Sequence, residues 1–194
     1  MSRAVGAQPV THRLVLASAS PQRRAILIQI GVSFDVEVSA VQELTEGPPE
    51  EVVLENAYRK ARAVADRLGG QRPVLGVDTI VALGRQIFHK PPDAAAARAT
   101  LAALAGREHS VLSGMCLIEG DRSRTAAART RVRFRALTDE QIQGYVETGE
   151  WRGRAGGYAI QERGALLVSA IEGDYLNVVG LPVATLAELA PWLL

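Results

Sequence analysis

The chain has 194 residues, 47% of them hydrophobic, which is enough for one good-sized domain with a real core. Its 22 basic and 21 acidic residues leave a net charge of +1, so no global basic field points to nucleic acid or to a membrane surface. The single cysteine, Cys116, excludes an internal disulfide framework and fits a reducing compartment.

The first residues, MSRAVGAQPVTHR, lack the long apolar stretch of a signal peptide, and no run approaches the length of a membrane span. The expectation is a loose tail over residues 1–13, then a single domain over 14–194 in a cytoplasmic protein. Leu14–Ala17 is a short apolar run and predicts a buried strand. Ser18-Ala19-Ser20 and Pro21 follow, a good N-cap and a good first helical residue. A helix is predicted to Ile30, with Ile26, Leu27 and Ile30 on one face, stopped by Gly31. Strand, hydroxyl-bearing turn and helix N-terminus make an anion site, because free amides and the helix dipole both favour a phosphate there. Arg23 and Arg24 in that first turn oppose the dipole and sit better with an anion present; the plainer alternative is two solvated arginines.

Ser33–Ala40 alternates Phe34, Val36 and Val38 with polar neighbours and predicts a strand. An acidic loop with Glu43 and Glu46 leads to a helix over Pro49–Leu68, where Val53, Ala57, Ala61, Val64 and Leu68 keep helical spacing. Asn56 and Lys60 lie one turn apart on another face. Val74–Leu83 is almost continuously apolar and predicts a central strand covered on both faces. A second strand over Gln86–His89 is broken by Lys90-Pro91-Pro92, and Asp93 caps a helix to Leu104. Ser110–Ile118 and Arg124–Leu137 predict a strand pair. The alternating arginines of Thr130–Arg135 suggest a solvated edge that resists strand addition. Thr138 to Gln141 opens a helix to about Thr148 with a capping box. After a loop over Gly149–Gly157 come predicted strands at Ala165–Ile171 and Tyr175–Val179, then a last helix from Gly180-Leu181-Pro182 to about Leu193. Helices interleaved with hairpins predict an α/β fold, a mixed β-sheet with helices on both faces.

Asp78 is the sharpest single residue, a carboxylate interrupting an apolar strand. Burial of an unpartnered carboxylate is costly, so Asp78 needs a partner, a metal or an opening onto a cleft. It is a candidate metal ligand or general base; the alternative is a carboxylate satisfied by backbone amides at a bend. Lys90 and Lys60 are candidate phosphate ligands or ordinary lysines, and Glu43 is a candidate oxygen ligand for Mg²⁺ or a solvated acid. Cys116 reads as a small core residue, and His12, His89 and His109 show no metal-ligand pattern. No P-loop, GxGxxG or GxSxG motif occurs. An anion pocket, an isolated acid, lysines and a loop acid together suit metal-assisted hydrolysis of a phosphate anhydride.

These residues, in this order, resemble the Maf family of nucleoside triphosphate pyrophosphatases. The likeness runs through LASASPQRR at Leu16–Arg24, ENAYRKARAV at Glu55–Val64 and VLGVDTIV at Val74–Val81. It continues with FHKP at Phe88–Pro91, LAGREHSVLSG at Leu104–Gly114, AGGYAIQ at Ala155–Gln161 and IEGDYLNVVGLP at Ile171–Pro182. The resemblance implies two lobes around a central cleft, hydrolysis of a nucleoside triphosphate to monophosphate and pyrophosphate, a divalent cation (Mg²⁺ or Mn²⁺) and a homodimer. It places Asp78 as proton acceptor close to the metal, Glu43 as the loop acid at the metal, and Lys60 and Lys90 at the phosphates. Ser18, Ser20, Arg23 and Arg24 would form the phosphate turn.

Three positions in the family are tied to base choice, here Gln22, Thr79 and Gln161. Thr79 and Gln161 match the branch acting on dTTP and UTP; Gln22 departs from it, where an Arg is expected, and so loses a cation. Arg154 is a second departure, standing where a Lys is common. The resemblance therefore implies a dTTP/UTP pyrophosphatase. It leaves open a shifted base choice and, in a different class, a nucleotide-binding regulator of cell division. The presence of Asp78 speaks for turnover, because a binder needs no such acid.

Overall fold

The computed structural model describes residues 13–193, so the expected tail, apart from Arg13, lies outside the described residues, as does His12. The elements in order are β1 (Leu14–Leu16), α1 (Pro21–Gln29), β2 (Phe34–Val36), α2 (Pro49–Arg67), β3 (Val74–Leu83) and β4 (Gln86–Phe88). Then come α3 (Ala94–Leu104), β5 (Glu108–Glu119), β6 (Arg122–Phe134), α4 (Asp139–Thr148), β7 (Val168–Glu172), α5 (Tyr175–Val179) and α6 (Val183–Leu189). The strands form one sheet in the order β2-β1-β3-β5-β6-β7, with β4 also paired to β3. β1 runs parallel to β2 and β3, and the remaining pairs are antiparallel, so the sheet is mixed.

Alternation along β3 sorts its side chains onto two faces. Val74, Ile80 and Ala82 pack with Val53, Ala57 and Ala61 of α2. On the other face two separate apolar clusters form. Leu75 and Val77 join Ile26 and Leu27 of α1 and Leu186 of α6, while Val81 joins Leu101 of α3, Tyr145 of α4 and Phe134. Between Val77 and Val81 sits Thr79, paired in register with Ser113 of β5, and their hydroxyl oxygens are 2.8 Å apart. The cleft between the two lobes is this polar seam.

Two glycines let α2 lie against the sheet. A Cβ on Gly76 would stand 2.1 Å from the Ala57 carbonyl oxygen, and one on Gly114 would stand 2.2 Å from that of Val53. Gly114 is directly across from Asp78 in the β3/β5 register. The close approach brings α2 side chains within reach of the strand acid.

Five expectations are corrected. Tyr175–Val179 is a short helix, not a strand: the Asp174 side chain accepts from the Leu176 amide at 2.7 Å and starts it, and Gly180 ends it. A five-residue stretch has too few periods to separate the two states. The strand expected from Ala165 begins only at Val168, because Arg163–Leu167 forms a 3₁₀ turn. The last helix stops at Leu189, two residues before Pro191, whose ring disfavours helix in the residue ahead of it. The arginine stretch is not a free edge: β7 pairs with β6 there, and Arg131 and Arg133 are ion-paired with Glu172 and Glu108. Ile30 is also 41% exposed, and α1 buries Arg23 beside Ile26 and Leu27 instead.

Gly76→Ala is expected to destabilise the protein by about 2–3 kcal/mol through overpacking against α2. Chemical denaturation of the variant checks this, and an unchanged midpoint would show that α2 can retreat freely.

Candidate functional site

The site lies where one edge of β3 is left open. β1 covers that edge at Val74 and Leu75, and β4 covers it from Val81 onward. The crevice at the carboxyl end of a parallel strand, where the chain diverges, is the usual place for a ligand in open α/β sheets. Asp78 and Thr79 fall in the gap and, as neighbours in a strand, point to opposite faces.

On the α2 face, Asp78 is 5% exposed. Its Oδ1 accepts from Lys60 Nζ at 2.6 Å and its Oδ2 from Asn56 Nδ2 at 3.0 Å. Lys60 is itself buried, and its Nζ also meets Glu43 Oε1 at 2.7 Å. Side chains, not backbone amides at a bend, therefore hold the strand acid. Two carboxylates converge on one cation. A buried pair of this kind is tolerated only with good geometry and further hydrogen bonds, which Asn56 supplies.

On the other face a cavity of about 290 Å³ opens between the lobes. Its walls include Ser20, Gln22, Arg23, Thr79, Lys90 and Gln161 from the expected set. Arg23 is 8% exposed and is held by neutral acceptors only. Its Nε donates to the Gly180 carbonyl at 3.0 Å, its Nη1 to Ser18 Oγ at 2.8 Å and its Nη2 to Thr79 Oγ1 at 3.1 Å. Burial pushes the guanidinium below its usual value, and the charges of Asp78 and Glu43 pull it back up. Such a cation has donors to spare and no contacting anion, which makes it a good partner for a phosphate. Ser20 caps α1, and its hydroxyl also donates to Gln22 Oε1 at 3.2 Å.

Lys90 and Gln161 are exposed at the rim, with Gln161 Nε2 donating to Glu162 Oε1 at 3.4 Å. Arg24 is not brought in: it is exposed and donates to the Ala19 carbonyl. Lys60 and Glu43 stand with Asp78 on the α2 face and do not line the cavity.

The structure adds residues to which the sequence pattern gave no role in the site. Arg154 lines the cavity with its Nε buried and without a partner among the described residues. Tyr158 lines it too, and its hydroxyl lies 3.0 Å from His109 Nε2. The T-shaped packing of His109, Tyr158 and Phe134 backs that wall. The AGGY stretch held the signal for Tyr158. The backbone carbonyl of Gly180 carried none.

A divalent cation is compatible with this donor set. Mg²⁺ commonly takes one or two carboxylates and completes its shell with water and substrate phosphates. Glu43 and Asp78 already converge on a cation, and no group of three or more His, Cys, Asp or Glu occurs among the described residues.

Known proteins resemble this chain along most of its length. The family model described as Maf-like protein matches residues 13–191. A dTTP/UTP pyrophosphatase from Symbiobacterium thermophilum is 49% identical over 174 residues, 89% of each chain. Another, from Gloeobacter violaceus, is 47% identical over 182 residues, covering 93% of this chain and 95% of that one. The crystal structure of a nucleoside-triphosphatase / dITP/XTP pyrophosphatase from Mycobacterium abscessus aligns with 18% identity and a TM-score of 0.44 over 71% of this chain and 95% of that one, a likeness too loose to bear on the site.

Burial lowers the His109 pKa from 6.5 to about 4, against a small opposing effect of Glu108. Folding therefore favours neutral His109, a contribution that is full above pH 6.5 and falls away as pH drops toward 4, about 3 kcal/mol in all. His109→Gln keeps a hydrogen bond for Tyr158 and cannot titrate. Its melting temperature is expected to fall less than that of the parent between pH 7 and pH 4.5, by about 5 °C or more. Equal falls in both proteins would refute a buried neutral His109.

Proposed function

The chain belongs to the Maf family, and from that membership we propose that it hydrolyses dTTP and UTP to the monophosphate and pyrophosphate. The observation that carries this is the juxtaposition across β3. A buried guanidinium with only neutral contacts faces the cleft, and a carboxylate pair lies on the adjoining residue's side of the same open edge. The relatives named dTTP/UTP pyrophosphatases support the substrate class.

In this proposal the nucleotide lies in the cleft, with its phosphates at Arg23, Ser20 and the amides that start α1, and Lys90 at the rim adds a point charge. Arg24 stays outside. Thr79, Gln22 and Gln161 face the base; an amide can both donate to and accept from a pyrimidine edge. Asp78 orients a water and accepts its proton as the oxygen attacks the α-phosphorus. The bond to the bridging oxygen then breaks and pyrophosphate leaves. Lys60 holds Asp78 in place through their 2.6 Å contact and offsets negative charge beside it. Glu43 and Asp78 would hold a divalent cation, which when bound neutralises phosphate charge and polarises the reacting centre. A homodimer and a cytoplasmic setting belong to the same proposal; among the described residues no helix is long and apolar enough to cross a membrane.

The test is product analysis. Purified protein is incubated with dTTP, UTP, CTP, GTP or 7-methyl-GTP and with Mg²⁺ or Mn²⁺, and the products are separated. The expected result is monophosphate plus pyrophosphate from dTTP and UTP. Asp78→Asn is expected to cut the rate at least about 100-fold while nucleotide binding stays measurable. Tight binding without cleavage of any triphosphate would favour the nucleotide-binding regulator instead. Gln22→Arg restores a cation at the cleft wall and is expected to raise kcat/KM for dTTP and UTP. An unchanged ranking of substrates in that variant would remove Gln22 from the determinants of base choice.

A further inference from the structure

One fully buried polar side chain beside the acid cluster has no part in the scheme above. Asn56 is 1% exposed and sits on α2 one turn before Lys60. Its Oδ1 accepts from the Leu44 amide at 2.7 Å. Its Nδ2 donates to the Leu44 carbonyl at 3.0 Å and to Asp78 Oδ2 at 3.0 Å. One side-chain amide therefore grips both backbone groups of Leu44 and one oxygen of Asp78. Its two donors and its acceptor are all engaged.

The segment it grips needs gripping. Residues 41–48 contain no helix or strand. Glu43, next to Leu44, has a side chain 52% exposed, so packing does not hold it. The segment's other ties to the body are exposed: Arg59 donates to the Gln42 carbonyl at 3.5 Å, and His89 Nε2 lies 2.9 Å from the Thr45 carbonyl. The Lys60–Glu43 ion pair has one exposed partner and is correspondingly screened. The clamp through Asn56 is the better shielded tie, part-buried at Leu44 and buried at Asp78, and a hydrogen bond shielded from water is electrostatically stronger than an exposed one.

We propose that Asn56 is a positioning residue: by binding the Leu44 backbone and Asp78 with one amide, it sets the separation of the Glu43 and Asp78 carboxylates. The loop acid and the strand acid come from segments 35 positions apart in the chain, and Asn56 is a single rigid group bonded to both. Lys60 attracts the two acids and tolerates a range of positions; Asn56 fixes one of them. The inference rests on the proposed hydrolysis for its kinetic arm and stands apart from it in its structural arm.

The structural arm is hydrogen exchange at the Leu44 amide, whose acceptor is the Asn56 side chain. In Asn56→Ala, exchange at Leu44 is expected to quicken by about tenfold or more while α2 and β3 amides keep their protection. The kinetic arm is a double-mutant cycle with Glu43→Gln on dTTP turnover. Asn56→Ala alone is expected to lower kcat by about 10- to 100-fold with KM for the nucleotide changed less than about threefold. In the Glu43→Gln background the same change is expected to cost less than about threefold, because the acid it positions is already gone. Should Asn56→Ala fail to fold, Asn56→Asp keeps the size and the bond from the Leu44 amide but offers no donor to Asp78 or to the Leu44 carbonyl, and the same cycle applies. Costs that multiply fully in the cycle, or a Leu44 amide that exchanges as before in Asn56→Ala, would overturn the proposal. A parent protein that cleaves no triphosphate would overturn the proposed hydrolysis instead, and Leu44 exchange would still decide the clamp.

Discussion

The ion pair between Asp78 and Lys60 is the contact on which the rest of the site depends. A carboxylate inside an apolar strand is stable only if another element delivers a cation and a donor to it. That element is α2, and it can reach only because the sheet beneath it has glycine at Gly76 and Gly114, where any side chain would collide with the α2 backbone. The chemistry of one residue on β3 thus constrains the residue across from it on β5 and the packing distance of the longest helix. A paired carboxylate is weak support for stability. Its place is better understood as the cost of holding a charged group ready at the edge of the sheet.

The second constraint is alternation. Asp78 and Thr79 are consecutive, so a strand must send one to each face. The charged cluster and the open cavity therefore lie back to back, not side by side, and they communicate only where the edge of β3 is uncovered between β1 and β4. Arg23 shows the coupling: it lines the cavity, yet its charge feels Asp78 and Glu43 across the strand. A ligand carrying several negative charges and lying along that edge could meet both sides at once. A compact monoanion could not.

Much of the fold was legible because its elements are long or strongly periodic. α2, β3 and the β5/β6 pair carry enough residues for the spacing to decide. The failures were local. Tyr175–Val179 was too short for its period to show, and the register that pairs β7 with the arginine stretch of β6 is a tertiary fact with no sequence mark. For the candidate site, the sequence order pointed to Glu43, Lys60 and Asp78, and the structure brings the three together. It could not separate Arg23 from its neighbour Arg24. One residue's rotation around α1 buries the first against Ser18, Thr79 and Gly180 and leaves the second in water. Helical spacing set Asn56 one turn from Lys60 but could not reveal its partners, the backbone of an irregular segment and a strand residue 22 positions away.

The distribution of cations around the cavity bears on what Gln22 changes. Arg23 is fixed by three neutral acceptors, Lys90 stands at the exposed rim, and Arg154 leaves its buried Nε unpartnered among the described residues. A charge acts over several ångströms, particularly where burial thins the solvent, whereas an amide acts only at hydrogen-bond contact. With three cations still facing the cavity, losing a fourth at position 22 removes a modest part of the attraction for a triphosphate. What it alters more is the pattern of donors and acceptors at the wall. Gln22 already spends its Oε1 on the Ser20 hydroxyl, which leaves its amide hydrogens as the groups it can offer inward. A neutral donor in that place selects by the position of an acceptor on the ligand. Under the proposed function, Gln22 therefore weighs on which base is accepted more than on whether a nucleotide is held.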